Sequence, residues 1–239
     1  MEFYDTIILS DLHLGACNSR TDDILRFLDG VTCDHLIING DLFDLPHLGK
    51  LRDSDLRVLE ALREFSRGAR VEYLVGNHDP SAQFFRTVLG IDAKEQTTLV
   101  IGRRKYLVYH GHGWDRALQL PRWIIAGADG CYRLSQRIDR SQRLARFLKR
   151  RCKRYVKAVS NLRDRAIAEA QSRGLGGVVL GHCHVPSDQM IDGIHYLNSG
   201  CWTEDPASFV GIRRGQARQE FFRPVGHRAH RVRISPAPP

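Results

Sequence analysis

No run of eighteen apolar residues occurs in the 239-residue sequence, which argues against a membrane-spanning helix. The six cysteines (Cys17, Cys33, Cys131, Cys152, Cys183 and Cys201) form no CxxC pair and no compact framework. Neither a structural zinc knuckle nor a disulfide scaffold is therefore expected, and free, mostly buried thiols are the plain reading. The N-terminal MEFYDTIILSDLHLG lacks the positive region of a secretion signal, carrying Glu2 and Asp5 instead, and no small-residue cleavage site follows a clean apolar stretch. A cytoplasmic location is the expectation. Acids are in deficit: 27 Asp and Glu stand against 36 Lys and Arg, a formal net charge of +9. That excess implies an anionic partner, which leaves a phosphorylated substrate, anionic lipid and nucleic acid open.

What the sequence does have is 42% hydrophobic and 26% charged residues, the balance of a soluble globular chain, and enough length for one sizeable core. One domain over residues 1–222 is expected, with a helical insertion at about 114–173. A basic tail rich in Pro, Arg and His, 223–239, reads as poorly ordered.

One pattern recurs five times: a short apolar or β-branched run ends in a small cluster of Asp, His, Asn and Gly. Thr6-Ile7-Ile8-Leu9 leads into Ser10-Asp11-Leu12-His13, and Leu36-Ile37-Ile38 into Asn39-Gly40-Asp41-Leu42-Phe43-Asp44. Val71 to Val75 gives way to Gly76-Asn77-His78-Asp79, and Lys105 to Tyr109 to His110-Gly111-His112-Gly113. Gly177 to Leu180 then reaches Gly181-His182-Cys183-His184. Buried strands finishing in this way set metal-competent side chains along one edge of a sheet, where α/β proteins build their sites. Glycine lets the backbone turn sharply there.

Between the strands, Asp22 to Phe27 and Asp53 to Phe65 have helical spacing, with Asp22 or Ser54 as caps. Leu99-Val100-Ile101, the Gly102-Arg103 turn and Lys105 to Tyr109 read as a hairpin, so the sheets are mixed. A later strand pair, Ile194 to Leu197 and Ser208 to Ile212, adds to the β content. Two packed sheets flanked by helices are the expected architecture. From Cys131 to Ser172, apolar residues at 134, 138, 145, 148, 152, 155, 159, 162 and 166 follow the spacing of one long helix or two stacked ones. Between Arg133 and Lys157 the other face carries eleven Lys or Arg against Asp139 alone.

Two hard or borderline cations sharing a site need oxygen and nitrogen ligands from several directions and a carboxylate able to bridge them. The clusters supply Asp11, His13, Asp41 and His184 for one cation, and Asp41, Asn77, His110 and His182 for the other, with Asp41 as the bridge. In Asp11-x-His13 and His182-x-His184, alternate residues of an extended segment point the same way, and Cys183 points away. A two-metal site about 3.5–4 Å across polarises phosphoryl oxygens, activates a water and stabilises an in-line transition state. His78 is placed to donate a hydrogen bond or proton to the leaving oxygen, with Asp79 holding its ring in the useful tautomer. Taken singly, each residue has an ordinary explanation as a turn, cap or structural histidine. Chance turns do not supply Asp-x-His, Gly-Asp-x-x-Asp, Gly-Asn-His-Asp, His-Gly and Gly-His-x-His in this order after five strand-like runs.

On these blocks, DLHLG, GDLFD, GNHD, HGHG and GHCH, the chain resembles the calcineurin-like metallophosphoesterases over residues 6–200. The resemblance implies a four-layer αββα sandwich, a dinuclear Mn, Fe or Zn centre, and the roles given above to Asp11, His13, Asp41, Asn77, His78, His110, His182 and His184. It also favours His110 over His112 as the ligand. Within the family, DLHLGACNSR, GDLFDL, the long insertion before GHCH and YLNSGCWTED are similar to the UDP-2,3-diacylglucosamine pyrophosphatases of lipid A synthesis. The well-known form of that branch has Arg after the Asn of the third block, where this chain has His78, which fits a second group of similar proteins or a general phosphodiesterase equally well.

The branch resemblance implies a nucleotide-sugar substrate with lipid chains, cleaved to UMP and a lipid monophosphate. The segment Trp114 to Ile125 combines aromatic, aliphatic and cationic side chains, as a lid over acyl chains beside a diphosphate needs, with Arg116, Arg122 and Trp123 as substrate contacts. The start of a core-packing helix explains it equally. The basic segment after it suits peripheral contact with an anionic, phospholipid-rich membrane. A phosphodiesterase or nuclease acting on nucleic acid stays open, since a basic face attracts phosphate backbones, as does a non-catalytic scaffold with this fold.

Overall fold

The computed structural model describes residues 1–44, 49–114 and 153–223. In chain order, the first half gives β1 (Glu2–Leu9), α1 (Thr21–Gly30), β2 (Val31–Asn39), α2 (Asp53–Phe65), β3 (Arg70–Leu74) and the short α3 (Ala82–Phe84). β4 (Gln96–Ile101), β5 (Arg104–Tyr109) and α4 (Lys153–Ser172) come next, then β6 (Gly177–Leu180), β7 (Ser187–Ile191), β8 (Ile194–Asn198), β9 (Ser208–Arg213) and β10 (Gln216–Phe221). They form two five-stranded mixed sheets, ordered β10-β9-β1-β2-β3 and β4-β5-β6-β8-β7.

Why the strand runs are apolar without interruption follows from what lies on each side. Successive side chains of a strand face opposite ways, and here both faces are covered. Ile7 and Leu9 of β1, with Leu36 and Ile38 of β2, pack with Ile24, Phe27, Val58 and Leu62 of the first two helices. Their neighbours Ile8 and Ile37 face the other sheet, meeting Tyr106, Val108, Val179 and Leu197. Beyond that sheet, Leu107, Val178 and Leu180 meet Leu162, Ala166 and Ala170 of α4. Helices, sheet, sheet and helix therefore stack as four layers, and the parallel strands are buried on both sides as such strands require.

The sheets also meet at one edge. Lys94 N–H donates to Tyr73 O at 2.9 Å and Val75 N–H to Lys94 O at 2.8 Å, tying β3 to the segment entering β4. There the buried Glu72 accepts from Lys94 Nζ at 3.1 Å and Arg70 Nη2 at 2.9 Å.

Two local expectations change. The two helices are not capped by Asp22 or Ser54, which lie inside their first turns; Arg20 and Arg52 hold the cap positions. At α2 the acid three residues on closes the end, Asp55 accepting Arg52 N–H at 2.8 Å, whereas at α1 Asp23 accepts only from the Arg20 side chain, Nε at 2.7 Å. Ile194–Asn198 and Ser208–Arg213 are not partners. The first pairs with β6 and β7, the second with β1 and β10, because the chain crosses between sheets over residues 199–207. Most of the basic insertion and the tail beyond Arg223 lie outside the described residues. No helix among the described residues is long and apolar enough to cross a membrane.

Candidate metal centre

Each cluster follows the C-terminal end of its strand, and parallel register brings those ends level: Leu9 stands opposite Ile38, Asn39 opposite Leu74, and Leu180 opposite Asn198. Beyond the strands the loops stay zipped. Asp11 N–H donates to Gly40 O, His13 N–H to Asp41 O and Asp44 N–H to Leu14 O, each at 3.0 Å. Asp11, His13, Asp41, His182 and His184 all have left-handed backbone, with φ between 48° and 66°. Among the described residues only Asp192 and Arg214 share this without being glycine, and each precedes a hairpin glycine. Left-handed residues are disfavoured by about 1–2 kcal/mol each, so their gathering at one place marks backbone bent to a purpose. Asp11 and His13 thus converge through two left-handed residues flanking Leu12, and not through the extended alternation expected of them. The same holds for His182 and His184 around Cys183, whose buried Sγ lies 3.2 Å from Asn198 Nδ2.

The side chains of both sheets meet. His184 Nε2 lies 3.0 Å from Asp11 Oδ1 and 3.3 Å from His13 Nε2. Asp41 Oδ2 lies 3.6 Å from His13 Nε2 and 3.3 Å from His110 Nε2, so one oxygen reaches a histidine of each expected set. The His182 ring centre is 5.3 Å from that of His110. Asn77 is exposed, in the loop whose next residue, His78, donates its N–H to Asp41 Oδ1 at 2.8 Å.

Each carboxylate is fixed through one oxygen and offers the other. Asp11 Oδ2 accepts the Ser10 hydroxyl at 2.5 Å and His182 N–H at 3.0 Å, while Oδ1 is buried without a hydrogen bond. Asp41 is held through Oδ1 by His78 N–H, leaving Oδ2 toward the histidines. His110 Nδ1 donates to Asn39 O at 2.8 Å, which leaves the Nε2 lone pair facing Asp41; Nε2 too is buried without a hydrogen bond. A lone pair turned toward a carboxylate oxygen is repulsive unless a proton or a cation lies between them. This oxygen and nitrogen donor set fits a hard or borderline divalent cation.

Glycine matters here for room as much as for turning. A Cβ at Gly76 would overlap Asp41 Oδ1 and the Asp41 backbone nitrogen, and one at Gly181 would lie 2.7 Å from Asp11 Oδ2, although neither glycine has positive φ.

Electrostatics tell the same story. Burial opposes charge on Asp11 and Asp41, yet His184 and His110 beside the first, and His110 and His13 beside the second, hold both carboxyls below their usual range. Burial likewise disfavours imidazolium at His110, but Asp41 and Asp11 outweigh it and push the group up to about 9. His184 is driven well above its ordinary value, Cys201 and Asp11 overcoming burial. A cation held by these groups would compete with protons for the imidazoles, so its binding would strengthen as pH rises.

Asp79 does not touch the His78 ring. Its buried carboxylate accepts N–H bonds from Asp41 at 2.8 Å, Phe43 at 2.9 Å and Gly76 at 3.0 Å, and burial followed by the Asp41 charge raises it to about 6. The ring is oriented instead by Asp44, whose Oδ1 accepts from His78 Nδ1 at 3.0 Å. Although burial works against it, this contact raises the His78 pKa. His112 is lowered to about 4 by burial, then by His110 and His182, and belongs to no metal-competent group among the described residues. Arg116, Arg122 and Trp123 lie outside the described residues. Sequence reasoning also missed Ser10, Ser199 and Asn198. The hydroxyls of Ser10 and Ser199 are 2.7 Å apart, and Asn198 Nδ2 donates to Gly181 O at 2.8 Å, so the end of β8 supports both metal loops. The string NSG after a strand was the available signal.

Fold and donor set together define a protein of the α/β class with the ligands to hold divalent cations at the ends of its strands. The calcineurin-like phosphoesterase superfamily domain matches residues 5–212; the chain belongs to this family and is a metal-dependent phosphoesterase. Comparison with curated proteins yields no match. Among solved structures, a single mutant of Vps29 from Entamoeba histolytica is similar at 16% identity and a TM-score of 0.48, over 91% of this chain and 99% of that one. Yfce, a phosphoesterase from E. coli, is similar at 18% identity and a TM-score of 0.46, over 86% of each chain. A predicted phosphoesterase from Streptococcus pneumoniae TIGR4 stands at 16% and 0.41, over 91% of this chain and 97% of that one. At such values these likenesses add nothing to the family match.

Proposed function

We propose that the chain hydrolyses the diphosphate bond of UDP-2,3-diacylglucosamine, giving UMP and 2,3-diacylglucosamine 1-phosphate at the cytoplasmic membrane surface. The chemistry is carried by one observation: a single carboxylate oxygen, Asp41 Oδ2, stands 3.6 Å from His13 Nε2 and 3.3 Å from His110 Nε2, as a bridge between two cations requires. Asp11, His13, Asp41 and His184 would hold one cation, and Asp41, Asn77, His110 and His182 the other, with manganese the first candidate and iron or zinc the alternatives. When bound, the cations supply Lewis acidity toward the phosphoryl oxygens and a nucleophilic water at neutral pH. His78 keeps Nδ1 on Asp44, leaving Nε2 to donate to the leaving oxygen. Its raised pKa keeps that donor protonated to higher pH.

The substrate choice is supported by the resemblance of DLHLGACNSR, GDLFDL and YLNSGCWTED to the UDP-2,3-diacylglucosamine branch and by the net charge of +9, which suits an anionic lipid-linked nucleotide and a peripheral position on anionic membrane. Arg116, Arg122 and Trp123 are the proposed substrate contacts. A general phosphodiesterase is the second reading, favoured by His78 at the position where the well-known form of that branch has Arg.

Side-by-side assays on the acylated UDP-sugar, a simple diester and single-stranded nucleic acid, with metal content measured, separate these. UMP release from the lipid substrate at the highest kcat/KM supports the first reading. Ready cleavage of diesters without UMP release replaces it with the second.

A further inference from the structure

Sulfur is absent from the donor set described above, yet a thiol stands against it. His184, Cys201 and Glu204 form a separate group whose donor atoms all lie within 4.8 Å of one another. Two segments bring it together: the loop after β6 carries His184, and the crossover from β8 to β9 carries Cys201 and Glu204. Cys201 is 3% exposed, and its Sγ accepts the hydroxyl of the buried Thr203 at 3.4 Å, which fixes the direction of the sulfur. The crossover is itself anchored, Trp202 N–H donating to Asp11 O at 3.1 Å and Arg20 Nη1 to Glu204 O at 3.1 Å. Glu204 is half-buried, so one side of the group opens to solvent.

We propose that His184, Cys201 and Glu204 form a further cation site, selective for zinc-class ions. Thiolate, imidazole and carboxylate from three residues leave a fourth position open, the arrangement a borderline-soft tetrahedral ion takes, whereas manganese and magnesium prefer oxygen-rich sets. On binding, the Cys201 S–H bond breaks, its proton goes to solvent and a sulfur–metal bond forms; no electron is transferred. His184 is common to this site and to the Asp11 and His13 set. Zinc held here draws that imidazole away from Asp11, so excess zinc slows the enzyme where excess manganese does not. This consequence, unlike the site itself, rests on the proposed role of His184 in catalysis.

Cobalt(II), titrated into the metal-free full-length chain, is the probe. Thiolate ligation produces an intense sulfur-to-cobalt charge-transfer absorption in the near ultraviolet, which oxygen and nitrogen ligation lacks. The expected result is such a band in the wild type, lost in Cys201→Ser, kept in Cys17→Ser, and displaced in Glu204→Gln to cobalt concentrations at least about tenfold higher. Should Cys201→Ser fail to fold, Glu204→Gln, at a half-exposed position, decides the matter alone. No band in the wild type, a band that survives Cys201→Ser, or one indifferent to Glu204→Gln overturns the site. Visible d–d absorption that persists without the band leaves the Asp11 and Asp41 centre standing, so the two readings fail separately. In turnover assays, zinc beyond two equivalents lowers the rate of the manganese-loaded wild type and spares Cys201→Ser; equal inhibition of both overturns the zinc effect.

Discussion

Substituting Gly76 by alanine separates the space a metal ligand needs from backbone freedom. Gly76 does not have positive φ, so alanine is conformationally acceptable there. The difficulty is the Asp41 carboxylate and backbone against its Cα: a Cβ would come within 2.9 Å of Asp41 Cγ and closer still to Oδ1 and the backbone nitrogen. Ordinary carbon contacts begin at about 3.5 Å, so loop and ligand must part by roughly 1 Å, against the ~0.5 Å within which a working site holds its groups. Overpacking of this size costs about 1–3 kcal/mol, or between about 2 and 12 °C in melting temperature for a chain of this length. The larger effect falls on metal, because Asp41 Oδ2 leaves its place between His13 and His110; affinity drops at least about tenfold. Two alanine controls frame the result. Gly30 has open space and no positive φ, so its alanine leaves metal binding and stability near normal. Gly90 has open space but a φ of +67°, so its alanine loses stability through backbone strain and keeps its metal. Metal content by elemental analysis and affinity by calorimetry, beside thermal scans in chelator, give the readout. Full metal occupancy at unchanged affinity in Gly76→Ala refutes the account.

Three further outcomes are expected. Asp44→Asn lowers the His78 pKa and moves the alkaline limb of the kcat profile to lower pH, with a loss smaller than the roughly 10²–10⁴-fold of a missing general acid; Asp79→Asn instead destabilises the fold, setting an amide N–H against a buried backbone N–H at about 1–3 kcal/mol, and the reverse assignment of effects in pH–rate profiles and urea melts would sink the distinction. Glu72, whose pKa is lowered because Lys94, Thr97 and Arg70 outweigh its burial, stabilises the fold above the ordinary glutamate value of about 4.3 and loses that effect as pH falls through its folded pKa. Glu72→Gln is therefore weaker at pH 7 by about 1–2 kcal/mol and converges with the wild type toward pH 3; a constant gap in urea melts contradicts this. Ser199→Ala, by unsettling the Ser10 hydroxyl that holds Asp11, weakens metal binding about 10–100-fold, whereas Ser208→Ala, which removes a hydroxyl bonded to Ser199 O and not to Ser10, leaves it unchanged; equal effects in titration calorimetry reduce the pair to a structural role.

Layers and strands were legible because covered parallel strands leave an unmistakable mark: Ile7-Ile8-Leu9 and Val178-Val179-Leu180 are apolar throughout, each followed by a polar cluster. Pairing of the late strands was not, since Ile194–Asn198 and Ser208–Arg213 look alike in composition while the crossover that parts them turns on three-dimensional closure. At the site, residue types were readable and their partners were not. Asp79 adjoins His78 in sequence, so it was the natural orienting group; yet left-handed backbone at Asp41 turns that loop so that Asp79 faces backbone N–H groups and Asp44 reaches the ring. The helix caps misled for a similar reason. Arg52 holds its cap position because Asp55, three residues ahead, accepts its backbone N–H, a pairing that propensity for Ser and Asp at the cap does not anticipate. Ser10 and Ser199 are 189 positions apart, and nothing local announces that their hydroxyls touch.

The division of the donors between two sheets has a consequence in time. Asp11, His13 and Asp41 hang from the first sheet, His110, His182 and His184 from the second, and the first sheet itself is completed only by β9 and β10. With the ligands as proposed, a chain leaving the ribosome therefore owns no full set until His184 has emerged, and hydrolytic capacity waits for strands of both sheets. A protease that severs the halves and lets them drift apart yields two inert pieces, not a smaller enzyme.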